Sequence, residues 1–221
     1  MTRKDHTSAL SAKRIDQVAS EPVEWVWRDY LPLGKITVID GDPGLGKSTV
    51  VADLTARVSV GGPMPNGDAC QGALSVLLAS AEDGIADTVR PRLEAHGADL
   101  ARVHTLDEAS ASSLTLPDDI GLLEDVINRH QVSVVFIDPL VAYMSPKIDF
   151  HKDPDVRRVL REMQDVAQRT KCAIVFVRHL NKQAGGSALY RGGGSIGIIA
   201  GVRQALLVRT TRPIPASASW Q

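Results

Sequence analysis

Four nearly continuous apolar runs punctuate this 221-residue chain, and each ends in polar or charged residues. They are Ile36-Thr37-Val38-Ile39, Ala73–Ala79, Val132–Ile137 and Cys172–Val177. Their length and continuity predict strands buried on both faces, as in a parallel sheet. Ala205–Val208 predicts a further strand and Val103-His104-Thr105 a short one. Between the runs the apolar spacing changes to the helical period. Helices are predicted from Lys47 to about Val60, and from Ala86 to about His96 with a turn or kink at Pro91. A third covers 118–130, where Ile120, Leu123 and Ile127 share one face. The clearest covers 154–170, with Val156, Val159, Leu160, Met163, Val166 and Ala167 as its stripe, Asp153 placed to cap it and Pro154 in its first turn. Gly61–Asp68 reads as a turn cluster and Leu106–Pro117, mixed and Ser-rich, as a loop. Trp25 and Trp27 open a hydrophobic segment leading into the first run, where tryptophans are expected to pack. Alternation of strand and helix implies an α/β fold, a mostly parallel sheet with helices on both faces. Residues 1–20 read as a flexible lead, 21–209 as the domain and 210–221 as a disordered tail.

Composition adds little until charge is divided along the chain. A length of 221 residues suits one domain. No run is long enough to cross a bilayer and no secretory leader is visible, so a cytoplasmic protein without a membrane partner is expected. Cys70 and Cys172 are too few for a disulfide framework or zinc site, and Cys172 reads as core. The net charge of −1 conceals an asymmetry. From Val166 onward there is no acid, and eight Lys/Arg stand against none; the first 165 residues hold 17 Lys/Arg against all 26 acids, a net of −9. The basic third is either an electrostatic footprint for a polyanion or a set of solvated and intersubunit arginines.

The first run opens on Gly41-Asp42-Pro43-Gly44-Leu45-Gly46-Lys47-Ser48, followed by Thr49. The spacing G-x-x-x-x-G-K-S lets backbone N–H groups and a helix N-terminus surround a polyphosphate. Lys47 is expected to reach the β- and γ-phosphates of ATP, and the Ser48 hydroxyl to ligate Mg²⁺.

In such a sheet ligands lie outside the carboxyl ends of the strands, so the other polar endings become candidates. These are Ser80-Ala81-Glu82-Asp83, Asp138-Pro139 and Arg178-His179. Asp138 is placed to hold Mg²⁺ directly or through water. The base that activates water follows the magnesium aspartate directly in many ring ATPases, but Pro139 cannot serve. Glu82, ending the neighbouring strand, is the substitute, with Asp83 beside it to share the role or bind metal.

The blocks GDPGLGKST, LLASAEDGIADTVRPRLEAHGADL, VVFIDPL, VFVRHLNK and YRGGGSIGIIAGVRQALLV, in this order over about Trp25 to Arg209, resemble the RecA-like AAA-family P-loop ATPases allied to RepA-type hexameric replicative helicases. The resemblance implies that His179 senses the γ-phosphate. It implies that the Gly/Ser-rich segment Asn181–Gly194, with Lys182 and Arg191, faces a channel holding single-stranded DNA. Arg203 resembles the arginine finger a neighbouring subunit supplies, with Arg191 as competitor. A hexameric homo-oligomer is the assembly implied. Relatives usually continue past the finger strand, whereas here a Pro/Ser/Ala segment follows Val208.

The leading expectation is therefore a Mg²⁺-dependent, oligomeric ATPase acting on DNA, of helicase, replication or recombination type. The alternative is an ATP-dependent regulatory switch or interaction module without translocation, supported by near-neutral net charge and by Tyr190 as the one aromatic in 181–195, since single-strand binders usually offer stacking platforms. A phosphate-loop small-molecule kinase would leave Glu82 and His179 without roles.

Overall fold

A computed structural model describes residues 11–150, 152–180 and 197–209. Lys182 and Arg191, and the segment from 210 onward, lie outside the described residues. From residue 11 the described chain starts with exposed residues carrying one 3₁₀ turn at Ile15–Gln17. A small antiparallel hairpin follows, β1 (Trp25–Trp27) with β2 (Leu31–Pro32). Trp27 packs: its ring stacks on Tyr30 at 4.0 Å and its indole N–H donates to Asn66 Oδ1 at 2.9 Å.

Among the described residues the body is a six-stranded sheet in which every pairing is parallel. In chain order its strands are β3 (Ile36–Gly41), β4 (Ser75–Ser80), β5 (Val103–Thr105), β6 (Val132–Asp138), β7 (Ala173–His179) and β8 (Gln204–Val208). In space the order is β5-β4-β6-β7-β3-β8. Strand β6, which ends at Asp138, is thus separated from β3, which ends at Gly41, by β7.

Side-chain alternation divides the core in two. Ile36, Val38, Val135, Ile137, Ile174 and Phe176 face the helices α4 (Ile120–Arg129), α5 (Asp153–Thr170) and α6 (Gly197–Gly201). Ile39, Val76, Leu78, Val134, Phe136, Val175 and Val177 face α1 (Lys47–Val60) and α2 (Arg90–Ala95). Helices therefore cover both faces, as the strand–helix rhythm predicts, and α1 has the predicted bounds.

Two local expectations are corrected and a third, at Pro91, is refined. Leu106–Pro117 is not all loop: α3 occupies Glu108–Ser113, started by Asp107, whose carboxylate accepts the Ser110 N–H at 2.7 Å. A cap, rather than an apolar stripe, makes this helix, so periodicity missed it. Asp153 does not cap α5; it is the first helical residue after Lys152, and its carboxylate accepts the Gly197 N–H at 3.2 Å, joining α5 to α6. The segment around Pro91 begins as a wide π-type turn, Ile85–Val89, before α2, with Pro91 in α2's first turn, where its missing N–H costs nothing. Among the described residues, no helix is long and apolar enough to cross a membrane.

Candidate nucleotide site

The phosphate loop leaves β3 at Gly41 and enters α1 at Lys47. A Cβ on Gly41 would lie 2.9 Å from the Val208 carbonyl oxygen, so β8 presses against the loop where only glycine fits. Gly44 and Gly46 both adopt φ of +79°, the left-handed turn that directs successive N–H groups inward. Lys47, only 3% exposed, donates from Nζ to the Gly41 carbonyl at 2.9 Å and the Asp42 carbonyl at 3.0 Å. Burial pulls its ammonium pKa down; the carboxylates of Asp138, Asp42, Asp40 and Glu82 act in the opposite sense.

Parallel pairing brings the other strand ends to the same edge. Ser48 Oγ donates to Asp138 Oδ2 at 2.8 Å across 90 residues of sequence. Burial raises the Asp138 pKa, against the Ser48 hydrogen bond and the nearby His179. Ser80 is in register with Asp138, and the Ala81 N–H donates to the Asp138 carbonyl at 3.1 Å, which fixes where Glu82 emerges. Glu82 Oε2 lies 3.8 Å from His179 Nε2, with the Glu82 side chain 65% exposed. Asp83 is held by Arg92 at 2.9 Å, so it has a structural partner that the sequence does not suggest. His179 is in register with Gly41, and its Nδ1 is buried without a hydrogen-bond partner among the described residues.

Ser48, Asp138, Lys47, Glu82 and His179 are thus brought together at one edge. Arg203 is not. Its N–H donates to the carbonyl of Ile36, the first residue of β3, at 3.0 Å. The parallel β3–β8 register runs from there to Val208 opposite Gly41, so Arg203 stands at the opposite edge of the sheet, roughly 16 Å away at a strand rise of about 3.3 Å per residue. Within one chain it cannot touch phosphate bound at the loop. Two of the eight cations of the basic third are also committed internally: Arg169 forms a bidentate pair with Glu124, and Arg178 with Asp40. Cys172 is fully buried and its thiol pKa is pushed up by desolvation, in keeping with a core role.

The donor set fits the groups the motif implies. Two hard oxygens side by side, the Ser48 hydroxyl and the Asp138 carboxylate, suit a magnesium ion that takes its remaining ligands from phosphate and water. The glycine loop and the first turn of α1 suit the polyphosphate itself.

A sequence model of the AAA domain family matches residues 3–185. The DNA repair protein RadA of Streptococcus pneumoniae (strain ATCC BAA-255 / R6) is 27% identical over 152 residues, covering 68% of this chain and 31% of RadA. The chain therefore spans about a third of the length of that relative. With the family match running over most of the chain, and with phosphate loop and strand-end aspartate joined on an all-parallel sheet, the chain belongs to the AAA domain family and has the RecA-like P-loop fold.

Proposed function

We propose that this chain is a Mg²⁺-dependent ATPase, works as a homo-oligomer and acts on DNA, as a motor related to the RepA-type hexameric helicases. The observation that carries the catalytic part is the Ser48–Asp138 hydrogen bond, which sets both magnesium ligands beside the lysine of the phosphate loop. Magnesium, when bound, would neutralise phosphate charge and orient the γ-phosphoryl group. The chain's own residues do the rest. Lys47 balances negative charge on the phosphates, Glu82 accepts the proton of the attacking water, and His179 contacts the γ-phosphate from the next strand end.

The oligomeric part is supported by Arg203. An arginine at the far edge of its own sheet can serve phosphoryl transfer only in a neighbouring subunit. The DNA part is supported by the similarity to a protein named for DNA repair and by the resemblance that assigns Lys182 and Arg191 to a DNA-facing segment.

The test is ATP turnover measured against protein concentration, with and without single-stranded DNA, in the parent and in a mixture of Lys47→Ala with Arg203→Ala. Each variant alone is expected to be inactive. The mixture should regain a fraction of parent turnover, because some interfaces pair an intact loop with an intact arginine. Turnover indifferent to concentration, and a mixture without recovery, would remove the shared site. Turnover and DNA binding that ignore each other would favour the regulatory switch.

A further inference from the structure

Asp40 and Arg178 sit directly behind the site and, apart from the pull of the Asp40 carboxylate on the Lys47 ammonium, have no role in it so far. They are the penultimate residues of β3 and β7 and lie opposite each other in register. Arg178 Nε donates to Asp40 Oδ1 at 2.7 Å and its terminal nitrogen to Oδ2 at 2.6 Å. The two side chains are 3% and 7% exposed. Alternation from Ile36, Val38, Ile174 and Phe176 places both on the α4–α5 face, whereas Gly41 and His179 turn to the α1 face.

Such a pair is a poor source of net stability. Desolvating both charges consumes most of the attraction, and a well-packed apolar pair of similar volume does as well or better. What a planar two-bond contact supplies instead is geometry, because it fixes the strands against sliding and tilting. Here it acts at one particular place. The next register pair is Gly41 with His179, and the Gly41 carbonyl accepts both the Leu180 N–H at 3.1 Å and Lys47 Nζ at 2.9 Å. One rigid step therefore joins the start of the phosphate loop, its lysine and the histidine beside the γ-phosphate position.

We propose that the Asp40–Arg178 ion pair is a positioning device for catalysis: it sets His179 against the phosphate loop, so that the γ-phosphate is distinguished from its absence. This rests on the ATPase reading above, and on His179 as the γ-phosphate contact. Neither residue touches nucleotide; both act through their strand neighbours.

The experiment compares Arg178→Met, Asp40→Leu, the double variant and Arg178→Lys in the full chain, each with and without His179→Ala. Melting temperature, turnover, KM and the affinities for ADP and a non-hydrolysable ATP analogue are measured. Either single apolar variant should melt lower, since it strands a buried charge. The double variant should recover the melting temperature, yet keep turnover at least about tenfold below the parent with KM within about twofold. It should bind ADP as the parent does and lose most of the preference for the analogue. Adding His179→Ala to it should cost little more, because its function is already lost. Arg178→Lys, which keeps charge but loses the two-bond geometry, should fall between parent and double variant. A double variant that regains both stability and turnover, or in which His179→Ala exerts its full effect, would overturn the proposal. A parent that binds nucleotide without hydrolysing it would instead defeat the ATPase reading. The analogue-to-ADP preference would then still decide the role of the pair.

Discussion

The two edges of the central sheet are built from the same strands and by the same parallel pairing, yet they carry opposite kinds of residue. At the carboxyl edge four strand ends place Lys47, Ser48, Glu82, Asp138 and His179 within one site. Those side chains are held by each other and by carbonyls of the loop. At the amino edge β3 and β8 begin beside Arg203 and the turn that ends α5. That edge is held by backbone geometry and helix caps. Parallel pairing concentrates all strand C-termini on one side. Chemistry accumulates there, and the other side is left for packing and, in the oligomer proposed above, for contact with a neighbour. The contrast can be broken by substitutions at either edge.

The largest effects belong to the carboxyl edge. Glu82→Gln should lower turnover by about 10²–10⁴-fold, the usual contribution of a positioned base, while leaving ADP affinity near the parent value. Lys47→Ala should lose both. Turnover assays paired with nucleotide titration separate the two. Asp83→Asn is the sharp control. Asp83 is engaged by Arg92, whereas the Glu82 side chain is open and beside His179. If Asp83→Asn is the more damaging change, the base has been assigned to the wrong carboxylate.

Next comes Gly41→Ala. The added methyl group meets the backbone oxygen of Val208 rather than a movable side chain, so strand or loop must shift. Overpacking of this kind costs about 1–3 kcal/mol and should be visible in denaturant midpoints. It should also weaken nucleotide binding, since the displaced atoms belong to the loop.

Asp138 gives the pH test. Burial raises its pKa above the ordinary 3.8, so the folded chain retains a proton that the unfolded chain has already released. Its contribution to folding stability therefore falls as pH rises from the ordinary value to the raised one, and is constant above it. Mg²⁺ needs the carboxylate, so apparent magnesium affinity should rise with pH across the same window. Asp138→Asn should remove this part of both dependences, read as the difference between variant and parent in denaturation and in magnesium titration with nucleotide present.

These residues differ in how far the sequence disclosed them. The phosphate loop, α1 and the four long strands were legible because each rests on local rules: glycine spacing, continuous apolar runs and helical period. Ser48 and Asp138 were legible as partners because their motifs imply a shared metal. The Asp40–Arg178 pair was not legible. An aspartate before a glycine loop and an arginine ending an apolar run look unrelated until β7 is known to lie beside β3. Strand order is a non-local property, and periodicity does not contain it. The same holds for Arg203: the resemblance singles it out as a finger candidate beside Arg191, but only the β3–β8 register shows that it stands at the far edge. Helix α3 was missed for a different reason, since a capped, exposed, Ser-rich turn has no apolar stripe to detect.

The smallest expected effect tests the amino edge directly. Lys171 ends α5 with φ of +53°, a left-handed conformation in which its Cβ crowds the backbone. It is exposed, and its backbone N–H closes the helix on the Ala167 carbonyl. Glycine relieves the strain, worth about 1–2 kcal/mol, but frees the unfolded chain by about 0.5–1 kcal/mol. Lys171→Gly should therefore gain about 0.5–1 kcal/mol net, a rise of about 1–4 °C in melting temperature for a domain of this size. Turnover should not change at any protein concentration. Arg203→Ala, at the same edge, should show the reverse pattern, with melting unchanged and turnover lost. If Lys171→Gly also altered turnover, the amino edge would be mechanically tied to the site within one chain, and the effect of Arg203→Ala would no longer imply a neighbouring subunit.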